Sequence, residues 1–221
     1  MLKFYYHPLS PIARRVWIAL LEKEIPFEPV IVNLRDGEQL KPEFLSLNPF
    51  NHVPVLLDGE LRILESLAIL DYLEAQYPSP SLMPQEPTQI AKMRMVQMVT
   101  TNELLTKIPA LLIASNDPKS NEATYKQIAT ALDFLTEQLG NSAYFGGDDL
   151  SLADITAGAA LSLLVRLGVE LKEHQAIAAW HKRIILRESW QQTKPDEDDF
   201  KTWKRWLSLV IKRRQQQMAR A

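Results

Sequence analysis

Val53-Pro54-Val55-Leu56-Leu57-Asp58-Gly59-Glu60-Leu61-Arg62-Ile63-Leu64-Glu65-Ser66 is the stretch on which the fold turns. Asp58-Gly59 is a strong short hairpin signal, and apolar residues flank it on both sides, so 53–57 and 61–64 read as antiparallel strands. Ser66 reads as the cap of a helix running to about Tyr77. Upstream, 2–6 reads as a short strand. Ser10-Pro11 is a helix start, with serine able to cap and proline at the first helical position, and 12–23 continues that helix. The β-branched run 29–33 is a second strand, followed by a polar loop at 34–37 and a short helical segment at 42–47. The order βαβ, helix, ββα cannot be fully parallel, because its last two strands share a tight turn. It suits a mixed four-stranded sheet covered by helices.

Downstream, Pro78, Pro80, Pro84 and Pro87 crowd ten residues, a density that no regular element survives. Beyond them strand signals vanish and helical periods take over, at about 88–115, 121–139, 151–167, 174–188 and 199–216. The chain thus divides into an α/β domain (1–77), a proline-rich linker (78–87) and an all-helical domain (88–221). Ser151-Leu152-Ala153-Asp154 reads as a structural capping box, with Leu150 as a staple to Ile155.

With 221 residues there is enough chain for two small cores. Composition is ordinary for a soluble protein, 46% hydrophobic and 24% charged, and the net charge of −2 gives no long-range pull on nucleic acid or acidic lipid. The chain has no cysteine, which removes disulfides, thiolate metal sites and a cysteine nucleophile. His7, His52, His174 and His181 lack ligand spacing, so no metal is expected. The first eight residues offer no signal-peptide core, and the apolar run 155–165 is too short to cross a bilayer. The expected location is cytoplasmic.

Four segments carry the chemistry: His7-Pro8-Leu9-Ser10-Pro11-Ile12-Ala13-Arg14-Arg15-Val16, Asn48-Pro49-Phe50-Asn51-His52-Val53-Pro54-Val55-Leu56, Glu65-Ser66-Leu67-Ala68-Ile69-Leu70-Asp71-Tyr72-Leu73 and Asp149-Leu150-Ser151-Leu152-Ala153-Asp154-Ile155. In this order and spacing they resemble the cytosolic glutathione transferases, especially the serine-type phi, theta and delta classes. The resemblance implies a thioredoxin-like first domain, glutathione as co-substrate with no further cofactor, small hydrophobic electrophiles as the other substrates, and a homodimer. Peroxide reduction or dehalogenation by bound glutathione would be side activities. The rival reading is a non-catalytic binding or assembly module on the same fold, since fold alone does not fix function. Thiol reduction of the cysteine type is contradicted by the absence of cysteine. The isomerase-like class is disfavoured because its serine-cysteine motif is missing.

Glutathione makes definite demands. Its γ-glutamyl end carries an ammonium and a carboxylate on one carbon. Glu65 can pair the first, and Ser66 at a helix N-terminus can offer a hydroxyl and free N–H groups to the second. By the resemblance, Pro54 is cis and leaves the backbone of Val53 free to pair with the cysteinyl unit. Gln39, Lys41 and His52 would supply donors to the glycyl carboxylate. Glutathione's thiol, with a pKa near ~8.5, must be held as the anion. Ser10 falls in register with the serine motif and is the candidate donor; Tyr5 and Tyr6 are alternatives. Arg14 either raises the local potential or bridges to an acid, and Arg15 is read as structural. For the electrophile, Met93, Met95, Met98, Leu104, Leu105 and Ile108 are candidates, most of them core. The tail reads as a capped terminal helix packed on its domain, with a lid over the substrate site and, third, a membrane-surface helix as alternatives.

Overall fold

A computed structural model describes residues 1–113 and 121–218. Strands β1 (Leu2–Tyr6), β2 (Phe27–Ile31), β3 (Val55–Asp58) and β4 (Leu61–Leu64) form one sheet in the order β2-β1-β3-β4. β1 pairs parallel with β2 and antiparallel with β3, and β3 pairs antiparallel with β4. Alternation along β1 buries Leu2, Phe4 and Tyr6 on one face and leaves Lys3 and Tyr5 on the other. β2 begins two residues earlier than its β-branched run suggests. It is an edge strand, where Pro29 costs no ladder bond to a second neighbour. At the hairpin Asp58 pairs with Leu61, so the turn residues are Gly59 and Glu60, and Gly59 takes the positive φ of 57° the turn needs.

Helices α1 (Pro11–Glu22), α2 (Pro42–Leu47) and α3 (Ser66–Gln76) complete the first domain. α1 packs between α3 and α7 (Leu152–Arg166) of the helical domain. The long helix expected from residue 88 is interrupted. α4 (Pro87–Val99) passes through a π turn, Thr100–Leu104, and a 3-10 turn, Leu105–Lys107, before α5 (Ile108–Ile113). Pro109 lacks the N–H that would bond back one turn, so an unbroken helix cannot pass this point. Residues 114 and 115, also expected to be helical, lie outside the described residues. α6 (Glu122–Leu139) and α7 follow their expected ranges. The segment 174–188 splits into α8 (Gln175–Ile184) and α9 (Glu188–Gln192), and α10 (Glu197–Met218) closes the chain. α7 is buried nearly throughout, and its Gly158 leaves the space that the Ile184 and Trp190 side chains occupy. Asp154, fully buried, accepts from Ser151 N and Oγ, Phe145 N and Trp180 Nε1, so the capping box also fastens two other segments to α7.

No regular element spans residues 77–86. Their path is set instead by a buried ion pair. Lys23 Nζ donates to Glu74 Oε2 at 2.8 Å and to Pro80 O at 2.6 Å, while Glu74 also accepts from Ser81 Oγ and Leu82 N. Leu82 O in turn accepts from Leu152 N at the start of α7. A second clamp joins Glu22 to Arg187 and Ser189.

His181 of α8 is buried beside Arg14, and its Nε2 lies 3.3 Å from Ser162 Oγ. Burial, reinforced by the Arg14 charge, pulls the imidazole down from 6.5 to about 4. Between those values the unfolded chain takes up a proton that the folded chain refuses. Stability is therefore full above about pH 6.5 and declines as pH falls toward 4. The loss should be on the order of 3 kcal/mol. Urea unfolding at pH 7 and pH 4 should show it, and His181→Gln should flatten that part of the profile; parallel profiles would remove the group from the account.

Candidate functional site

β1 ends at Tyr6 where its antiparallel partner β3 begins at Val55. The β1–α1 loop carrying Ser10 and the turn carrying Val53-Pro54 therefore sit at the same end of the sheet. Ser10 is the N-cap of α1, and its Oγ accepts from Ala13 N at 3.2 Å. A hydroxyl that accepts this way keeps its own proton for a second partner. The Val53–Pro54 bond is cis. Val53 lies outside the ladder, and its backbone groups take no backbone hydrogen bond among the described residues.

At the start of α3 the structure corrects the expected cap. Ser66 is the first helical residue and Glu65 holds the cap position, without a side-chain cap bond. Glu65 is exposed and has a positive φ of 64°, which costs a non-glycine residue about 1–3 kcal/mol and is characteristic of functional sites. The Ser66 hydroxyl is buried and accepts instead from Arg15 Nε (2.9 Å) and Nη2 (2.5 Å). The first N–H groups of α3 are thus left without a cap, a ready-made place for an anion.

The other expected residues are distributed less simply. Lys41 is exposed at the start of α2 with Glu38 at 3.9 Å, and His52 is exposed. Gln39 Nε2 donates to its own loop at Leu34 O, while its buried Oε1 has no partner. Tyr6 is 5% exposed, packed against Phe4 and Trp17, and burial raises its pKa. Tyr5, on the opposite face, lines a cleft of about 550 Å³ together with Lys41 and Phe44. Arg14 turns into the helical domain, donating to Thr193 Oγ1 and Trp190 O, both at 3.1 Å. Among the described residues it bridges to no acid, and burial lowers its pKa to about 10.

A cleft of about 500 Å³ adjoins the β1–α1 loop. His7, Pro8, Leu9, Trp17 and Ile31 of the first domain line it together with Trp203 and Trp206 of α10. His7 Nδ1 accepts from Leu9 N, which puts the proton of the neutral ring on Nε2. Burial lowers the His7 pKa against the opposing pull of Asp199, so the ring is neutral at neutral pH. None of the six apolar residues expected for an electrophile lines this cleft. Met93, Leu104 and Ile108 are core, Leu105 is half-buried, and Met95 and Met98 face outward. The tail packs on its domain, with Phe200 and Trp203 buried and Ser208 Oγ donating to Leu112 O, and Trp203 and Trp206 line the cleft.

Arg15 was read from the sequence as structural, and Thr101 was not singled out. Arg15 Nη1 donates to Thr101 Oγ1 at 2.9 Å, so the helical domain braces the guanidinium beneath Ser66. The one local signal was position: Arg15 lies one turn before Ile18 and Ala19, both fully buried, on the inward side of α1.

The family model "Glutathione S-transferase, N-terminal domain" matches residues 4–81, and "Glutathione S-transferase, C-terminal domain" matches residues 70–188. Glutathione S-transferase F10 of Arabidopsis thaliana is 31% identical over 201 residues, spanning 85% of this chain and 94% of that protein. Maleylacetoacetate isomerase of Rattus norvegicus is 32% identical over 197 residues, spanning 86% and 91%. Among solved structures, a delta-class glutathione transferase of Nilaparvata lugens superposes with a TM-score of 0.81 at 27% identity, over 95% of this chain and 99% of that one. Poplar glutathione transferase F1 gives 0.77 at 26% identity, over 87% and 95%. With both halves of the chain matched and curated relatives aligned along most of its length, the chain belongs to the glutathione S-transferase family.

Proposed function

We propose that the protein is a glutathione transferase that binds glutathione across the end of the sheet, holds its thiol as the anion and conjugates it to small electrophiles. The observation that carries this is the start of α3, where a strained acid and a buried, guanidinium-held serine stand before uncapped N–H groups. These are the complements of an ammonium and a carboxylate on one carbon. Val53 offers backbone groups to the cysteinyl unit, and Gln39, Lys41 and His52 are the candidates for the glycyl end. Ser10 donates to the sulfur, and the N-terminus of α1 adds a field that favours the anion. The electrophile enters the tryptophan-walled cleft beside the β1–α1 loop; the thiolate forms the carbon–sulfur bond as the leaving group departs. Side activities toward peroxides or halides would use the same anion.

Glu65→Ala tests the assignment. It removes the partner of the γ-glutamyl ammonium and should weaken binding by about 1.5–2 kcal/mol, roughly 10- to 30-fold in Kd by calorimetry. Unchanged affinity in a folded variant would sink it.

The family reading also carries a homodimer, a cytoplasmic location and a role in clearing reactive compounds. The exposed apolar side chains of Leu61, Met95 and Met98 are in keeping with a covered face on β4 and α4. Sedimentation at micromolar concentration should give twice the chain mass; a monomer would refute the dimer. No described helix is long and apolar enough to cross a membrane.

A further inference from the structure

Beneath the γ-glutamyl end of the groove lies the cation that holds Ser66, and the reading above gives it no role toward the ligand. Arg15 is 3% exposed, and its hydrogen-bond partners are hydroxyls. Nε and Nη2 both reach Ser66 Oγ, and Nη1 reaches Thr101 Oγ1, which itself donates to Gln97 O at 2.8 Å. A serine hydroxyl has two acceptor positions and one proton. With both acceptor positions filled by one guanidinium, Ser66 has only its proton left to give. Two charged donors on the oxygen also polarise that O–H and strengthen any bond it makes to an anion.

The brace is specific in its construction. Thr101 belongs to the π turn Thr100–Leu104, and the backbone irregularity of α4 coincides with its one contact to the guanidinium. Turns of this kind recur at functional sites. Burial lowers the Arg15 pKa to about 10, with the Glu65 charge opposing, so it remains a cation at neutral pH. A buried cation held, among the described residues, by hydroxyls is costly, and an anion one hydroxyl away offsets that cost.

We propose that Arg15 is the positioning residue for the γ-glutamyl carboxylate, acting through Ser66 to fix it as a charge-assisted donor and so to select thiol peptides that carry a carboxylate at that end. The inference rests on the glutathione reading above. It makes the carboxylate, rather than the peptide as a whole, the feature that Arg15 reads.

The experiment compares glutathione with 4-aminobutyryl-cysteinyl-glycine, which lacks only that carboxylate, by calorimetry on the full chain. The unmodified protein should prefer glutathione by about 100-fold. Arg15→Met should bring the preference to within about threefold while affinity for the analogue stays within about threefold. Arg15→Lys, which keeps a charge but not the two-pronged hold, should retain about a tenth of the preference. In turnover, either variant should raise the KM for glutathione far more than it lowers kcat at saturation. If the methionine variant does not fold, as judged by circular dichroism, the lysine variant carries the test. Equal losses for both peptides would overturn the proposal and leave Arg15 a purely structural brace. No binding of either peptide to the unmodified protein would overturn it in a different way, by removing the glutathione reading itself.

Discussion

Lys23→Met should destabilise the protein by about 3–5 kcal/mol, a fall in Tm of roughly 6–20 °C for a chain of this size. The Lys23 side chain is fully buried and that of Glu74 is 9% exposed. Removing the cation leaves a buried carboxylate whose remaining donors, Ser81 Oγ and Leu82 N, do not neutralise it. The effect should reach beyond the pair, because Leu82 also ties the chain to the start of α7. Removing the carboxylate as well, in Lys23→Met with Glu74→Gln, should recover much of the loss, since a replaced pair costs far less than a broken one. Thermal and urea unfolding of the three variants would check this. A single-variant loss below about 1 kcal/mol would mean the linker is held by something else.

The second large effect is on catalysis. Ser10→Ala should raise the pKa of bound glutathione by about two units and, as the thiolate fraction falls, lower turnover at pH 7 by roughly 25-fold, with a smaller loss of binding. The asymmetry follows from a bond made to the anion, not to the peptide as a whole. Loss of the cap on Ala13 N costs about 1 kcal/mol of stability by itself, so Ser10→Thr, which keeps a capping hydroxyl, is the control. Tyr5→Phe and Tyr6→Phe should leave the thiol pKa in place. An upward shift in either tyrosine variant, with none in Ser10→Ala, would move the role to that tyrosine.

What was legible in the chain was what is local. The Asp58-Gly59 hairpin, the alternation in β1, the Ser10-Pro11 start and the Ser151/Asp154 box each depend on neighbours within a few positions, and all four stand in the structure. The Glu65-Ser66 pair was legible as the start of a helix but not in its geometry. Ser66 gives up the expected cap because Arg15, 51 positions away, claims its oxygen, and no local pattern reports that. Arg14 and Arg15 are adjacent in sequence but about 100° apart around α1, so Arg14 bonds to Trp190 and Thr193 while Arg15 bonds to Ser66 and Thr101. Helical spacing likewise marked an apolar face on α4 without saying what it meets. Its methionines went to the core or to the exterior, and the cleft walls came from Trp203 and Trp206, whose partner surface lies at the opposite end of the chain.

The most direct test of the account is an ultraviolet titration of glutathione bound to the unmodified protein. Thiolate absorbance should appear on binding near neutral pH, with a midpoint of about 6.5, some two units below the free thiol. Glutathione that binds with its thiol still titrating near ~8.5 would contradict it, because nothing at the end of β1 would then be favouring the anion.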